Sequence, residues 1–404
     1  MNTHCTDTLI VGGGPIGGSL ACALASAGIS SVVVDRVPAV ELLAPNFDGR
    51  ATAVAQGPKK MLEHIGVWQA LGTEVSPIRD IRVADGQSRL FLHYDHADVG
   101  ETALGYMVEN WRLRHAVLTA ASDAPAVTYL ASAEIDAMER TETAVIARLK
   151  GGDHITAPLI IGADGRDSFV RDHAGLMLTQ WPYHQSGIVC TVAHEKPHHN
   201  IAHEHFYPAG PFAILPLTGN RSSIVWTESE AGAADLVGLS DDDFIWELAQ
   251  RAGDFMGALE VVGPRWSYPL SLQYTKTSTA RRLALAGDAA HGIHPIAGQG
   301  LNMGLRDVAA LAEVLADARR LGLDIGSTQV LQKYDRWRRF DNTMMLASTD
   351  GLNRLFSNDI APIRIARDFG LAAVNRAGPL KKFLMRQAMG LTGTLPRLLK
   401  GEFL

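Results

Sequence analysis

The chain has 404 residues, too long for one small core, so two domains, in series or interleaved, are expected. Apolar residues make up 47% and charged residues 20%, a balance suited to a folded soluble protein, and a net charge of −6 excludes a nucleic-acid binder held by a global basic field. Three cysteines, Cys5, Cys22 and Cys190, match no zinc or redox spacing and do not suit a disulfide framework. No leader-like segment or transmembrane-length apolar run is visible, which reads as a cytoplasmic protein.

The first element is an apolar run, Thr8 to Val11, long enough for one buried strand. Gly12, Gly14 and Gly17 follow in G-x-G-x-x-G spacing, and Pro15 to Gly28 reads as a helix of small residues. Gly12 permits a sharp turn, Gly14 a close approach of backbone to a pyrophosphate, and Gly17 tight packing of helix on sheet. The helix N-terminus offers free N–H groups and a positive dipole end to phosphates. A second strand, Ile29 to Val34, ends on Asp35, about 20 residues past the glycines, where a ribose 2′-OH needs an acceptor. Pro15 and the neighbouring Arg36 are counted with this site. An acid at this point suits FAD or NAD and repels a 2′-phosphate. The alternative is a purely structural βαβ turn.

Arg36 to Phe47 is expected to be a loop because Pro38 and Pro45 block regular structure. Asp48 to Val54, with Arg50, leads into a helix over Gly57 to Gly66. Alternation over Ile78 to Tyr94, around Asp85-Gly86, predicts a β-hairpin. Asn110 to Ala121 has helical spacing, and short strands are expected at 127–130, 134–140, 144–149 and 157–162. The last delivers Asp164, with Ser168 and Arg171 placed one and two turns into a helix. From Tyr183 to Tyr274 strands dominate: 187–192, 202–206, 212–217 and 222–227, with one helix, Ser240 to Ala252, carrying Asp241 to Asp243 in its first turn. This reads as an antiparallel sheet with one face covered. A strand at 282–286 returns to the first domain and ends on Gly287-Asp288; a long helix, 300–321, and a mostly helical tail follow. The expected fold class is mixed α/β. Residues 1–75, 100–180 and 277–345 form a discontinuous Rossmann-like domain, 76–99 and 181–276 a second domain, and 346–404 a helical C-terminal region.

The order of motifs, with the glycine turn first, Asp164-Gly165 midway and Gly287-Asp288 last, resembles that of the flavoprotein aromatic hydroxylases over nearly the whole chain. Three stretches are similar to the ubiquinone-biosynthesis hydroxylases in particular. These are His291 to Leu311, with Pro295 and Gly298-Gln-Gly-Leu-Asn302; His199 to Leu217; and the tail from Asn358 through Pro379 to Gly390. The resemblance implies a para-hydroxybenzoate hydroxylase-like fold, FAD as cofactor and NAD(P)H as electron donor. It also implies ring hydroxylation with O2 through a flavin C4a-hydroperoxide, on a polyprenylated phenol. It implies that Asp288 accepts hydrogen bonds from the ribityl hydroxyls, with capping of the next turn as the alternative. Gly298, Gly300 and Leu301 place a helix N-terminus at the flavin, and Gln299 and Asn302 add donors or, for Asn302, a plain cap. Arg50 lies close to the FAD, or else in a surface salt bridge; Asp164 and Arg171 are further candidates. Arg50, His291 and Pro295 are the candidates for the reacting end, His291 either as a base or as an orderer of the loop.

Two decoys accompany the motifs. His194, His198, His199, His203 and His205 cluster without H-E-x-x-H spacing or a cysteine, and read as strand surface rather than a metal site. Lys381, Lys382, Arg386, Arg397 and Lys400, mixed with Leu380, Phe383, Leu384 and Met385, read either as a membrane or partner surface or as a helix packed on the first domain. The resemblance implies other quinone-biosynthesis proteins as partners, and a cytoplasmic enzyme peripheral on the inner face of the membrane. Its alternatives are a hydroxylase of a soluble aromatic acid and a flavin-binding assembly protein without turnover.

Overall fold

The computed structural model describes residues 2–44, 47–86, 88, 90–294, 298–357 and 361–404, without the side chains of 361–366 and 368. Pro295, Pro45 and the stretch 358–360 of the tail motif lie outside the described residues.

A six-stranded sheet organises the first half of the architecture. Its order runs Thr279–Ala280, Leu283–Leu285, Leu159–Gly162, Thr8–Val11, Ser31–Val34, Val127–Leu130, parallel except at its first pair. The central strands are apolar on both faces because both are covered. Ile10, Val33 and Ile161 point to helices Pro15–Ser26, Asn110–Asp123 and Gln299–Arg320, whose Leu20, Val117 and Leu311 are fully or almost fully buried. Leu9, Val32 and Ile160 point the other way, to a four-stranded sheet carrying Val145, Ala147 and Ile155. The two helices nearest the glycine turn meet closely: a Cβ on Gly304 would lie 2.6 Å from Cδ1 of Ile16.

The second sheet has eight strands in the order His291–Gly292, Leu259–Thr275, Leu178–His194, Arg221–Ser229, Gly210–Leu217, Ile201–Tyr207, Asp80–Asp85, Phe91–Asp95. The predicted hairpin joins it through a parallel pair with Ile201–Tyr207, so the sheet is not wholly antiparallel. Helices Glu230–Gly238 and Asp241–Ala252 cover one face, burying Ile188, Phe212, Ile224 and Trp226 against Ala233, Phe244 and Leu248.

The structure corrects the sequence reading at several points. Ala39–Leu43 is a short helix inside the expected loop, started rather than blocked by Pro38 at its N-cap. Ser168 caps helix Phe169–His173 instead of lying within it. Strand His154–Ala157 and helix Glu230–Gly238 had not been expected. Nor had the 17-residue strand Leu259–Thr275, whose signal is broken by Gly263, Pro264 and Pro269; its pairing slips register twice. The tail is helical over Thr328–Phe356, Ala361–Arg376, Gly378–Ala388 and Arg397–Lys400. Among the described residues, no helix is long and apolar enough to cross a membrane.

Candidate active site

Strands Leu283–Leu285, Leu159–Gly162, Thr8–Val11 and Ser31–Val34 are neighbours in register, so their C-terminal ends share one edge. That edge carries Asp288, Asp164, the glycine turn and Asp35, and it is where open parallel sheets hold ligands.

The glycine turn is built by contact. Gly12 has φ +93°, and a Cβ there would lie 2.4 Å from the Ala163 carbonyl oxygen. A Cβ on Gly17 would lie 1.8 Å from the Gly12 carbonyl oxygen. Gly14 differs: no atom stands within 4 Å of its Cβ position, although it caps the helix beginning at Pro15. Asp35, buried, accepts from Gly13 N–H (2.7 Å) and Val37 N–H (2.8 Å) and so holds the turn directly. Arg36 next to it is exposed and has no bonding partner among the described residues. Gly13, which sequence reasoning passed over, is the tightest point after Gly17: its Cβ would lie 2.0 Å from the hydroxyl of Tyr129, which donates to the Gly13 carbonyl at 3.2 Å.

Asp164 is committed to its own turn. It accepts from Ser168 Oγ (2.5 Å) and Val170 N–H (3.1 Å), while burial pushes its pKa up. Arg171, buried, donates to the Arg166 carbonyl at 2.7 Å and braces the same turn. Arg166, unpredicted, reaches across to Ser271 Oγ at 2.7 Å.

Asp288 stands differently. It follows Gly287 (φ +63°), and among the described residues its carboxylate has no hydrogen-bond or ion-pair partner. Burial pushes its pKa up, against the pull of His291 and Arg166. Close by lies a network the sequence did not reveal. Asp307, fully buried on helix Gln299–Arg320, accepts from Gly287 N–H (3.0 Å), His291 Nε2 (2.5 Å) and Arg338 Nε (2.7 Å). Burial alone would raise its pKa, but His291 and Arg338 hold it well below the usual carboxylate range. His291 is thereby turned into the protein interior. The available signal was Arg306-Asp307, a charged pair flanked by the small and apolar runs Met303 to Leu305 and Val308 to Ala312.

Gly298 caps that helix with φ +61°, and no atom stands within 4 Å of the Cβ position of Gly300. Leu301 packs against the main core. Gln299 Nε2 donates to the Ala388 carbonyl at 3.3 Å. Asn302 is neither a free donor nor a simple cap. Its Oδ1 accepts from Ala55 N–H (2.9 Å) and its Nδ2 donates to the Ala53 carbonyl (3.0 Å), stapling the helix to strand Ala51–Ala55. At the start of that strand, Arg50 pairs with Asp48 (2.5 Å), donates to the Tyr268 hydroxyl (3.1 Å) and lies over the Trp266 ring. It is thus in a salt bridge, but one set against the second sheet. Of the histidine cluster, His194 is held by the Lys196 carbonyl and Ser222, and His198 by the Leu217 carbonyl; His203 and His205 stack on one another.

These features fit FAD. Two cradles that a Cβ would fill, at Gly14 and Gly300, and one half-buried, unpartnered carboxylate at Asp288 border the same strand edge.

The comparisons with known proteins agree. The FAD binding domain family model matches residues 5–346. Ubiquinone hydroxylase UbiL of Rhodospirillum rubrum is 52% identical over 398 residues, covering 98% of this chain and 92% of the relative. The 3-demethoxyubiquinol 3-hydroxylase of Escherichia coli is 35% identical over 393 residues, covering 97% of this chain and 100% of the relative. Among solved structures, p-nitrophenol 4-monooxygenase PnpA of Pseudomonas putida superposes with a TM-score of 0.81 at 19% identity, over 98% of this chain and 100% of that one, and shares the fold. The chain belongs to the FAD-dependent aromatic-ring monooxygenases of para-hydroxybenzoate hydroxylase-like fold, among the ubiquinone-biosynthesis hydroxylases.

Proposed function

We propose that the chain hydroxylates the aromatic ring of a polyprenylated ubiquinone precursor, using O2 and NAD(P)H. The observation that carries the FAD part of this reading is the unpartnered Asp288 carboxylate beside the open Gly14 and Gly300 positions. When bound, FAD would take two electrons from the nicotinamide and deliver one atom of O2 to the ring. The protein's own residues do the rest. Helix Pro15–Ser26 would offer its free amides to the pyrophosphate, and Asp35 would serve the adenosine ribose. Asp288 would accept from the ribityl hydroxyls. The N-terminus of helix Gln299–Arg320 would offer its positive end to the bound flavin. Arg50 and Pro295 belong to the reacting end. His291, held by Asp307, orders segment 287–294 and does not take the substrate proton.

A peripheral membrane setting extends this proposal. In helix Gly378–Ala388 the buried Met385 packs with Leu104, and Lys381 pairs with Asp98 at 2.6 Å. Arg397 is likewise engaged, with Asp317 at 2.5 Å. Leu380, Lys382, Phe383 and Arg386 stay exposed. Basic and apolar side chains together on one exposed surface suit contact with an anionic bilayer, where a prenylated substrate resides.

Asp288→Asn is expected to weaken FAD binding by about 10- to 100-fold, as the loss of charge-assisted hydrogen bonds. The apoprotein should be no less stable, because the raised pKa marks a carboxylate that is strained when ionised. A flavin fluorescence titration and an apoprotein melting curve read the two effects separately. The function itself is tested by mass spectrometry of quinone lipids from cells lacking the protein. Loss of ubiquinone with accumulation of one under-hydroxylated prenylated ring is expected. An unchanged profile, with no second hydroxylase covering the step, would point to a soluble aromatic acid instead.

A further inference from the structure

One face of the eight-stranded sheet is closed by helices Glu230–Gly238 and Asp241–Ala252. The other face meets strand Ala51–Ala55, the strand that Asn302 and Gly298 touch. On Ile201–Tyr207, alternation turns Ala202, Glu204 and Phe206 to this second face. Ala202 packs with Ala51, Ala53 and Leu215, and Phe206 stacks on Phe356 with ring centroids 4.1 Å apart.

Glu204 lies between them. Its pairing neighbours are Val83 on one side and Ala213 on the other, with Val225 next in the same row. None of these is large or polar enough to cover or pair with a carboxyl. Among the described residues Glu204 has no hydrogen bond and no ion pair, and burial alone pushes its pKa up to about 7. Asp85, opposite Phe206 on the same face, is already paired with Arg367 at 2.7 Å. Two hydroxyls one step either side of Val225, Ser223 Oγ and Thr227 Oγ1, are also buried and unpartnered. Glu204 itself is half-buried, so its carboxyl stays reachable, and an unpaired acid set beside small side chains is open to a ligand group that can meet it.

We propose that Glu204 receives the ring hydroxyl of the phenolic substrate, accepting first its hydrogen bond and then its proton. This rests on the function proposed above. The carboxylate takes the hydroxyl proton as electron density moves into the ring and a ring carbon bonds one atom of O2. That carbon then releases its own hydrogen to solvent as a proton, and Glu204 returns its proton to the ring oxygen. The second oxygen atom leaves as water, reduced by the two electrons of NAD(P)H. Glu204 is therefore a catalytic residue, and the buried, unpartnered hydroxyls of Ser223 and Thr227 lie on the same face of the sheet.

The test uses FAD-loaded wild-type enzyme and E204Q, which preserves shape, with E204A as a second variant. Each is titrated with a short-chain prenylphenol and with its O-methyl ether, then assayed for hydroxylated product. The wild type should bind the phenol at least about 10-fold more tightly than the ether, and E204Q should lose most of that preference. The kcat for product should fall about 100-fold in both variants, with FAD occupancy unchanged. Wild-type rates and an intact phenol preference in E204Q would overturn the assignment alone. If the wild type gives no product from any phenol, the proposed function falls and this inference with it.

Discussion

Replacing Gly14 with valine is expected to leave a folded protein that cannot hold FAD. Gly14 has φ −64°, an angle any L-residue adopts, and its Cβ position faces open space. The added Cβ therefore meets no protein atom within 4 Å, and the methyls beyond it extend into the same open space. They fill the volume in front of the helix N-terminus, where the pyrophosphate must approach the backbone. A loss of at least about a thousandfold in affinity, roughly 4 kcal/mol, is expected. Purified variant should be colourless with a native far-ultraviolet spectrum, and added FAD should no longer raise its melting temperature. Gly17→Val is the contrast. Its Cβ would lie 1.8 Å from the Gly12 carbonyl oxygen, so that variant should fail to fold. A yellow Gly14→Val protein with stoichiometric FAD would show that the cofactor does not lie over this turn.

Asp307→Asn carries the second large effect, and it acts on the fold. One buried carboxylate holds the turn after strand Leu283–Leu285, the ring of His291 and the guanidinium of Arg338 on helix Thr328–Phe356. Asparagine keeps the shape but has one acceptor oxygen where four donors converge, Asn342 Nδ2 at 3.5 Å being the fourth, and it leaves the Arg338 charge with less compensation. Breaking one partner of a buried ionic network costs about 3–5 kcal/mol. The effect should depend on pH in a defined direction. The folded-state pKa of Asp307 is depressed, so its contribution is fully present above the unfolded value of about 3.9 and declines as pH falls below it. Urea titrations at pH 7 and near pH 3 should show the gap between wild type and variant narrowing in acid. An equal gap at both pH values would mean that packing, not charge, is what Asp307 contributes.

The parts of the site that were legible in the sequence are those written in local order. The strand, glycine turn, helix, second strand and Asp35 lie within 28 residues of chain, Thr8 to Asp35, and each has its own signal. The strand expected at 157–162 is found at Leu159–Gly162 and announced itself because both of its faces are covered and its side chains are apolar. What escaped depends on contacts between distant segments. Gly13 looks like any loop glycine until Tyr129, 116 residues away, is set against it. Asn302 could be a donor or a cap until its partners on strand Ala51–Ala55 are known. Asp307 reads as a solvated helix residue until the turn at Gly287 and helix Thr328–Phe356 enclose it. Glu204 was hidden by its neighbours: between His203 and His205 it looked like part of a polar strand surface, whereas the parity of the strand turns it to the opposite face.

The reaction proposed for this chain is transfer of an oxygen atom from O2 to a prenylated aromatic ring. The most direct measurement is product mass after turnover of the FAD-loaded enzyme with NAD(P)H and a short-chain prenylphenol under isotopically heavy oxygen gas. The product should carry one heavy oxygen atom, and the Gly14→Val protein should yield none. A product whose new oxygen comes from water, or NAD(P)H oxidation that gives only hydrogen peroxide with every phenol offered, would contradict the claim.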